Sequence, residues 1–200
     1  MTEEQEKNFR SIDELKSYLE MAGVPVKDYG QGKAKTLEHL FKETQRGECF
    51  LIEEGKDLIR KVKSVSIFIY YQDEGGNILF LKESKQVFKD GRERNRDFEW
   101  SVSEKLEPGE SKEEAVKRAM SEELGIFDSQ PKFLRTENKK MESPSYPGLV
   151  SYYETNFFKV YLSHKQYHPG GYQEEQPDKT TYWVWEDTVQ KRSPFSVVLA

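Results

Sequence analysis

The chain predicts a mixed α/β domain preceded by a small helical extension. Three observations carry this: two short amphipathic helices before residue 60, β-branched and aromatic runs from Ser64 onward, and a glutamate-rich helix between strand-like segments and long loops. The boundaries read from the sequence are 1–60 for the N-terminal extension and 61–200 for the α/β domain.

The extension opens with "SIDELKSYLEMAG". Ser11 and Glu14 form a capping box, Ile12, Leu15, Tyr18 and Leu19 share one face, and Gly23 stops the helix. "TLEHLFKETQRG" repeats the design, with Thr36 as N-cap, Leu37, Leu40 and Phe41 inward, and Gly47 as stop. The apolar faces of these helices are the natural candidate for a homodimer contact. The short strand "CFLI" ties the extension to the α/β domain.

From Ser64 the pattern changes. "SVSIFIYY" is a covered central strand, "QDEGGN" a turn, and "ILFLKE" the returning partner. "KQVFKDGRERNRDFEW" reads as a charged loop, folded on itself as a surface hairpin. A strand around "YETNFFKVYLS", a Gly/Pro-rich loop "YHPGGYQEEQPDK" and a last strand "TTYWVW" complete the chain.

Composition narrows the function classes. Hydrophobic residues are 35% of the 200 and aromatics 13%, enough for a core despite 34% charged residues. The net charge of −5 offers no general attraction for nucleic acid or an anionic membrane, and no apolar run approaches a membrane span. An anionic substrate therefore needs a local basic group or a bound cation. Cys49 is the single cysteine, which excludes internal disulfides and Cys-rich zinc sites. The start "MTEEQEKNFR" lacks the apolar stretch of a secretory signal, so a cytoplasmic location is the expectation.

The chemistry concentrates in "EPGESKEEAVKRAMSEELGI", residues 107–126. Ser111 with Glu114 caps a helix over 112–124 that Gly125 ends, and Val116, Met120 and Leu124 form its buried stripe. At about 100° per residue, Glu122 and Glu123 flank the line of position 119, which holds Ala119. Clustered carboxylates raise one another's pKa unless a cation joins them, and all-oxygen ligands favour Mg²⁺, Mn²⁺ or Ca²⁺ over zinc. Taken alone, the residues favour a solvated surface helix, with Glu113–Lys117 and Glu114–Arg118 as ordinary i,i+4 pairs.

This stretch resembles the Nudix box, G-x5-E-x7-R-E-U-x-E-E-x-G-U, where U is a bulky aliphatic. Glu110 takes its first glutamate, Arg118 its arginine, Met120 its first aliphatic, Glu122 and Glu123 its paired glutamates, Gly125 its glycine and Ile126 its last aliphatic. "EPGES" and "EEA" match the usual filler, and the resemblance covers roughly residues 64–190. Two positions depart: Glu104 stands where the first glycine belongs, and Ala119 replaces the glutamate before the pair.

The resemblance implies a Nudix-type α/β/α sandwich with a mixed β-sheet, and hydrolysis of a nucleoside diphosphate linked to another moiety. It implies Mg²⁺ or Mn²⁺ as cofactor and a small nucleotide-type diphosphate as partner. It casts Glu122 and Glu123 as metal ligands, with Ser103 and Glu110 completing the candidate set. Arg118 would orient the glutamates by pairing with Glu110. The expected catalytic group is Glu122, Glu123, Arg118 and Glu104, the last compensating for Ala119 by delivering a carboxylate from the loop. Against this stands independent drift in a decayed box. The corresponding second function is a Nudix-fold module without catalysis that binds a nucleotide, an RNA end or a protein.

Substrate contacts are assigned more loosely. Arg94 and Arg96 are candidates for a phosphate, although their segment has zero net charge (Lys89, Arg92, Arg94 and Arg96 against Asp90, Glu93, Asp97 and Glu99). Tyr146 is a candidate to stack on a base. Glu174 and Glu175 occupy the loop before the last strand, where the family often places a further acid, and Glu175 is taken into the substrate-binding set. His39, His164 and His168 have no metal-site spacing and are expected at the surface.

Overall fold

The computed structural model describes residues 7–188. The first six residues of the expected extension and residues 189–200 of the expected α/β domain lie outside them. The chain divides into two compact units. One gathers residues up to Ser64 with Lys105–Ser111 and Thr136–Asn156; the other gathers Val65–Glu104, Lys112–Arg135 and the residues from Phe157 onward.

In the first unit, helix α1 (Ile12–Met21) starts where the Ser11 Oγ accepts the Glu14 N–H at 3.2 Å, while the Glu14 carboxylate accepts the Arg10 N–H at 2.8 Å. Gly23, at φ +78°, lets the chain reverse, so that the Val24 and Gly23 N–H groups bond the Leu19 and Glu20 carbonyls. Helix α2 (Leu37–Gln45) is capped by Thr36, and His39 takes the reciprocal part that Glu or Gln usually plays: its ring nitrogen accepts the Thr36 N–H. Strand β1 (Phe50–Glu54) pairs antiparallel with the start of β2 (Asp57–Gln72). Leu15, Leu19, Leu40, Leu51, Val62 and Leu149 close one core, each buried. Of the apolar helix faces assigned above to a homodimer, Leu15, Leu19 and Leu40 are buried within this core, and Tyr18, Leu37 and Phe41 pack against it half-buried.

A charged network lies against that core. Glu43, on α2, is 5% exposed, and its carboxylate accepts Arg60 Nη2 at 2.6 Å, Lys35 Nζ at 2.7 Å and Lys105 Nζ at 2.9 Å. The Arg60 guanidinium rests over the Tyr146 ring at 5.1 Å. Tyr146 itself is fully buried. The ring expected to stack on a substrate base is therefore a packing residue, with no face open to a ligand.

The second unit holds the rest of β2, β3 (Ile78–Phe88), β4 (Glu93–Asn95), β5 (Val102–Lys105) as far as Glu104, α3 (Lys112–Leu124), the end of β7 (Val150–Leu162), β8 (Tyr172–Glu175) and β9 (Lys179–Asp187). Its strands run in the order β7-β2-β3-β9-β8, with β4 beside β3 and β5 beside β2. β3 and β4 form the expected hairpin, Lys85 opposite Asn95. Among the described residues α3 is the one α-helix of this unit, and it packs against β8. The mixed α/β class read from the sequence is the class observed. No helix among the described residues is long and apolar enough to cross a membrane.

Three strands escaped the sequence reading, the short β5 among them. β6 (Lys132–Glu142) is exposed along almost its whole length and carries charges on both faces. β8 lies inside the segment read as a Gly/Pro-rich loop, where its Tyr172–Trp183 pairing begins immediately after Gly171. A Cβ on Gly171 would sit 2.0 Å from the Trp183 carbonyl oxygen, so only glycine permits that approach.

The Glu43 network has an acid limb. Burial alone would raise the Glu43 pKa, but the Arg60 and Lys105 charges and the lysine hydrogen bonds hold it down, from 4.5 to about 2. A carboxylate depressed on folding contributes stability that is complete above the unfolded pKa and lost as pH falls through the folded one. Unfolding stability is expected to fall on the order of 3 kcal/mol between about pH 4.5 and pH 2. Chemical denaturation across that window checks it: Glu43→Gln should flatten this limb while leaving Arg60 buried without its counter-charge, costing about 3–5 kcal/mol at neutral pH.

Candidate active site

Strand β3 supplies the first wall of a cavity of ≈ 270 Å³ in the second unit. The register of β3 against β9 shifts between Glu83 and Lys85. Side chains three apart on a regular strand face opposite ways, and an extra residue returns them to one face. Glu83 and Gln86 accordingly both line the cavity, and Gln86 Nε2 donates to Glu83 Oε1 at 2.9 Å.

The opposite wall comes from β5. Ser101 fixes its start: the Oγ accepts the Ile69 N–H and donates to the Leu81 carbonyl, while Trp183 Nε1 donates to the Ser101 carbonyl. Two residues on, the Ser103 Oγ donates to the Val65 carbonyl at 3.1 Å. Ser103 and Glu104 then border the cavity.

Helix α3 brings Glu122 and Glu123, and β8 brings Glu174. Glu174 accepts both hydrogen bonds of a bifurcated contact from Gln176 Nε2, at 2.9 and 3.0 Å. Arg118 Nη1 donates to Glu122 Oε2 at 3.3 Å, one helical turn away. Five glutamates, 83, 104, 122, 123 and 174, thus share one small cavity with two cations, Arg96 and Lys179.

This crowding shows in Glu123, which is half-buried. Loss of solvation and then the charges of Glu104, Glu174 and Glu83 raise its pKa well above the ordinary carboxylate range; Lys179 acts the other way. Carboxylate oxygens are the kind of donor that hard cations take. The fit is one of chemistry, since among the described residues no three Asp, Glu, His or Cys groups converge in metal-holding geometry.

The sequence-assigned residues divide clearly. Glu104, Glu122, Glu123, Ser103 and Arg96 line the cavity together. Arg96 is engaged there, its Nε donating to Glu83 at 3.0 Å and its guanidinium lying 4.1 Å from the Phe98 ring centre. Arg94 is exposed and donates to Gln86 at 2.7 Å. Glu175 lies exposed on β8, and alternation along the strand turns Glu174 inward in its place. Glu110 belongs to the first unit, where its carboxylate accepts the Glu107 N–H at 2.9 Å. His164 and His168 lie at or near the surface, His164 with its ring nitrogen 2.9 Å from the Tyr71 hydroxyl.

Glu83 and Lys179 were missed. Glu83 sits in a run that reads as a plain strand, and the bulge that turns it inward leaves no mark in the sequence. Lys179 follows a Pro-Asp pair and looks like a loop lysine.

Ala119 is fully buried on α3, with Ala115, Val116 and Met120 buried beside it, and it does not line the cavity. A carboxylate introduced there must displace packed atoms or join a cluster already crowded with like charge. Ala119→Glu is expected to cost about 2 kcal/mol or more of stability in metal-free buffer, checked by thermal unfolding.

A profile of the NUDIX domain matches residues 60–191. No curated protein matches the chain. Among solved structures, a MutT/nudix family protein from Enterococcus faecalis aligns over 88% of this chain and 56% of its own, with 19% identity and a TM-score of 0.43. The NUDIX domain of Shewanella oneidensis NrtR complexed with ADP ribose aligns over 65% and 75%, with 12% identity and a TM-score of 0.42. A C. elegans Ap4A hydrolase aligns over 64% and 81%, with 18% identity and a TM-score of 0.35.

Proposed function

The chain belongs to the Nudix family, and from that premise we propose that it hydrolyses a nucleoside-diphosphate-linked substrate at the glutamate cavity. The observation that carries this is the half-buried Glu123, crowded by Glu104, Glu174 and Glu83 in a cavity sized for a small anionic group. Glu122, Glu123 and Glu104 would hold Mg²⁺ or Mn²⁺, with the Ser103 carbonyl at the margin. The bound ion supplies neutralisation of phosphate oxygens and acidification of a water molecule. Arg118 holds Glu122 through its i,i+4 contact, and Gln176 holds Glu174.

Glu104 is proposed to replace the carboxylate missing at position 119. The support is reciprocal: the side chain at 119 is buried away from the cavity, while Glu104, at the end of β5, borders it. A carboxylate with its charge disfavoured is a stronger proton acceptor, so Glu123, crowded by Glu104, Glu174 and Glu83, is the group suited to take the proton of an attacking water.

Incubation with a panel of nucleoside-diphosphate-linked compounds and Mg²⁺, then Mn²⁺, is expected to release nucleoside monophosphate, and EDTA to abolish release. Glu123→Gln and Glu104→Gln should each lower kcat/KM about a hundredfold or more. Turnover indifferent to both substitutions would dismiss this cavity as the site. No turnover on any compound, with nucleotide binding retained, would make the chain a binding module.

A further inference from the structure

We propose that Lys179 is the residue that receives the substrate's phosphate, a role deepening the hydrolase reading above and resting on it. The two cations of the cavity differ in their engagement. Arg96 is tied to Glu83 at 3.0 Å and flattened against Phe98. Lys179 makes no side-chain hydrogen bond or ion pair within 4 Å among the described residues, although it lines the same cavity as Glu104, Glu123 and Glu174.

Its backbone, by contrast, is held on both sides. Lys179 opens β9 opposite Phe88, its carbonyl accepts the Gln176 N–H at 2.8 Å across the β8–β9 turn, and the neighbouring Asp178 carbonyl accepts the Lys89 N–H at 2.9 Å. A half-buried ammonium on a fixed stem is therefore presented to the cavity without a partner in contact. An ammonium placed only to neutralise glutamates would close on one of them, as Lys105 does on Glu43 at 2.9 Å in the first unit. Standing off leaves room between cation and carboxylates for an anion. A diphosphate meets that demand: one phosphate faces the glutamates through the cation they bind, and another meets a direct positive charge. Arg94 and Arg96, the phosphate candidates read from the sequence, yield this role because Gln86 and Glu83 already occupy them.

The test compares wild type, Lys179→Ala and Lys179→Arg on the panel compound that wild type hydrolyses. Binding of methylenebisphosphonate with Mg²⁺ by calorimetry and of Mn²⁺ alone by electron paramagnetic resonance accompany the kinetics. Lys179→Ala should raise KM and the bisphosphonate Kd about tenfold to a hundredfold, with kcat and Mn²⁺ affinity within about threefold of wild type. Lys179→Arg should recover most of the loss. An unchanged KM and bisphosphonate Kd in Lys179→Ala would overturn the assignment while leaving the hydrolase reading intact, as would Mn²⁺ affinity falling in step with KM. Wild type that neither hydrolyses the panel nor binds the bisphosphonate would overturn both.

Discussion

Like charge held together against its own repulsion is the constraint on which the second unit turns. Glu83, Glu104, Glu122, Glu123 and Glu174 arrive from β3, β5, α3 and β8, four elements far apart in sequence, and two cations do not balance them. A fold tolerates such a cluster when rigid elements impose it and a ligand offsets it. The impositions are visible: the β3 bulge aims Glu83, the Ser101 hydrogen bonds seat β5, and the buried stripe of Val116, Met120 and Leu124 sets the rotation of α3. Each is a packing or backbone feature whose effect is felt several residues away, on a carboxylate.

The first unit handles a buried acid in the opposite manner. Glu43 is surrounded by Arg60, Lys35 and Lys105 and stays ionised far below the ordinary range. Glu123 is surrounded by acids, and burial with their charges pushes its pKa well above the ordinary carboxylate range. The same side chain, withdrawn from water in both places, is a structural ion in one and suited to a cation in the other. The difference lies in the sign of its neighbours.

How much of this was legible in sequence depends on the range of the interactions. α3, its end at Leu124 and its buried stripe are local and periodic, and they stand where the sequence puts them. The β3–β4 hairpin and β9 are likewise local. β6 was missed because an exposed, charged strand has no apolar alternation to betray it. Tyr146 was misassigned because burial under Arg60 depends on a partner 86 positions away. Glu174 and Glu175 are indistinguishable in the chain, and only the pairing of β8 with β9 decides which turns inward. The box departures were readable as a pair, one acid lost at 119 and one present at 104, but that Glu104 borders the cavity while Ala119 is buried away from it needed the structure.

The central claim is that the crowded glutamates are assembled to hold a divalent cation. Anomalous diffraction from crystals grown with Mn²⁺ tests it with least inference. The account requires a manganese peak bonded at about 2.1–2.2 Å to carboxylate oxygens of Glu123 and of Glu104 or Glu122. Manganese found only on the exposed surface, with the Glu123 carboxylate bound to nothing but protein and water, would contradict it.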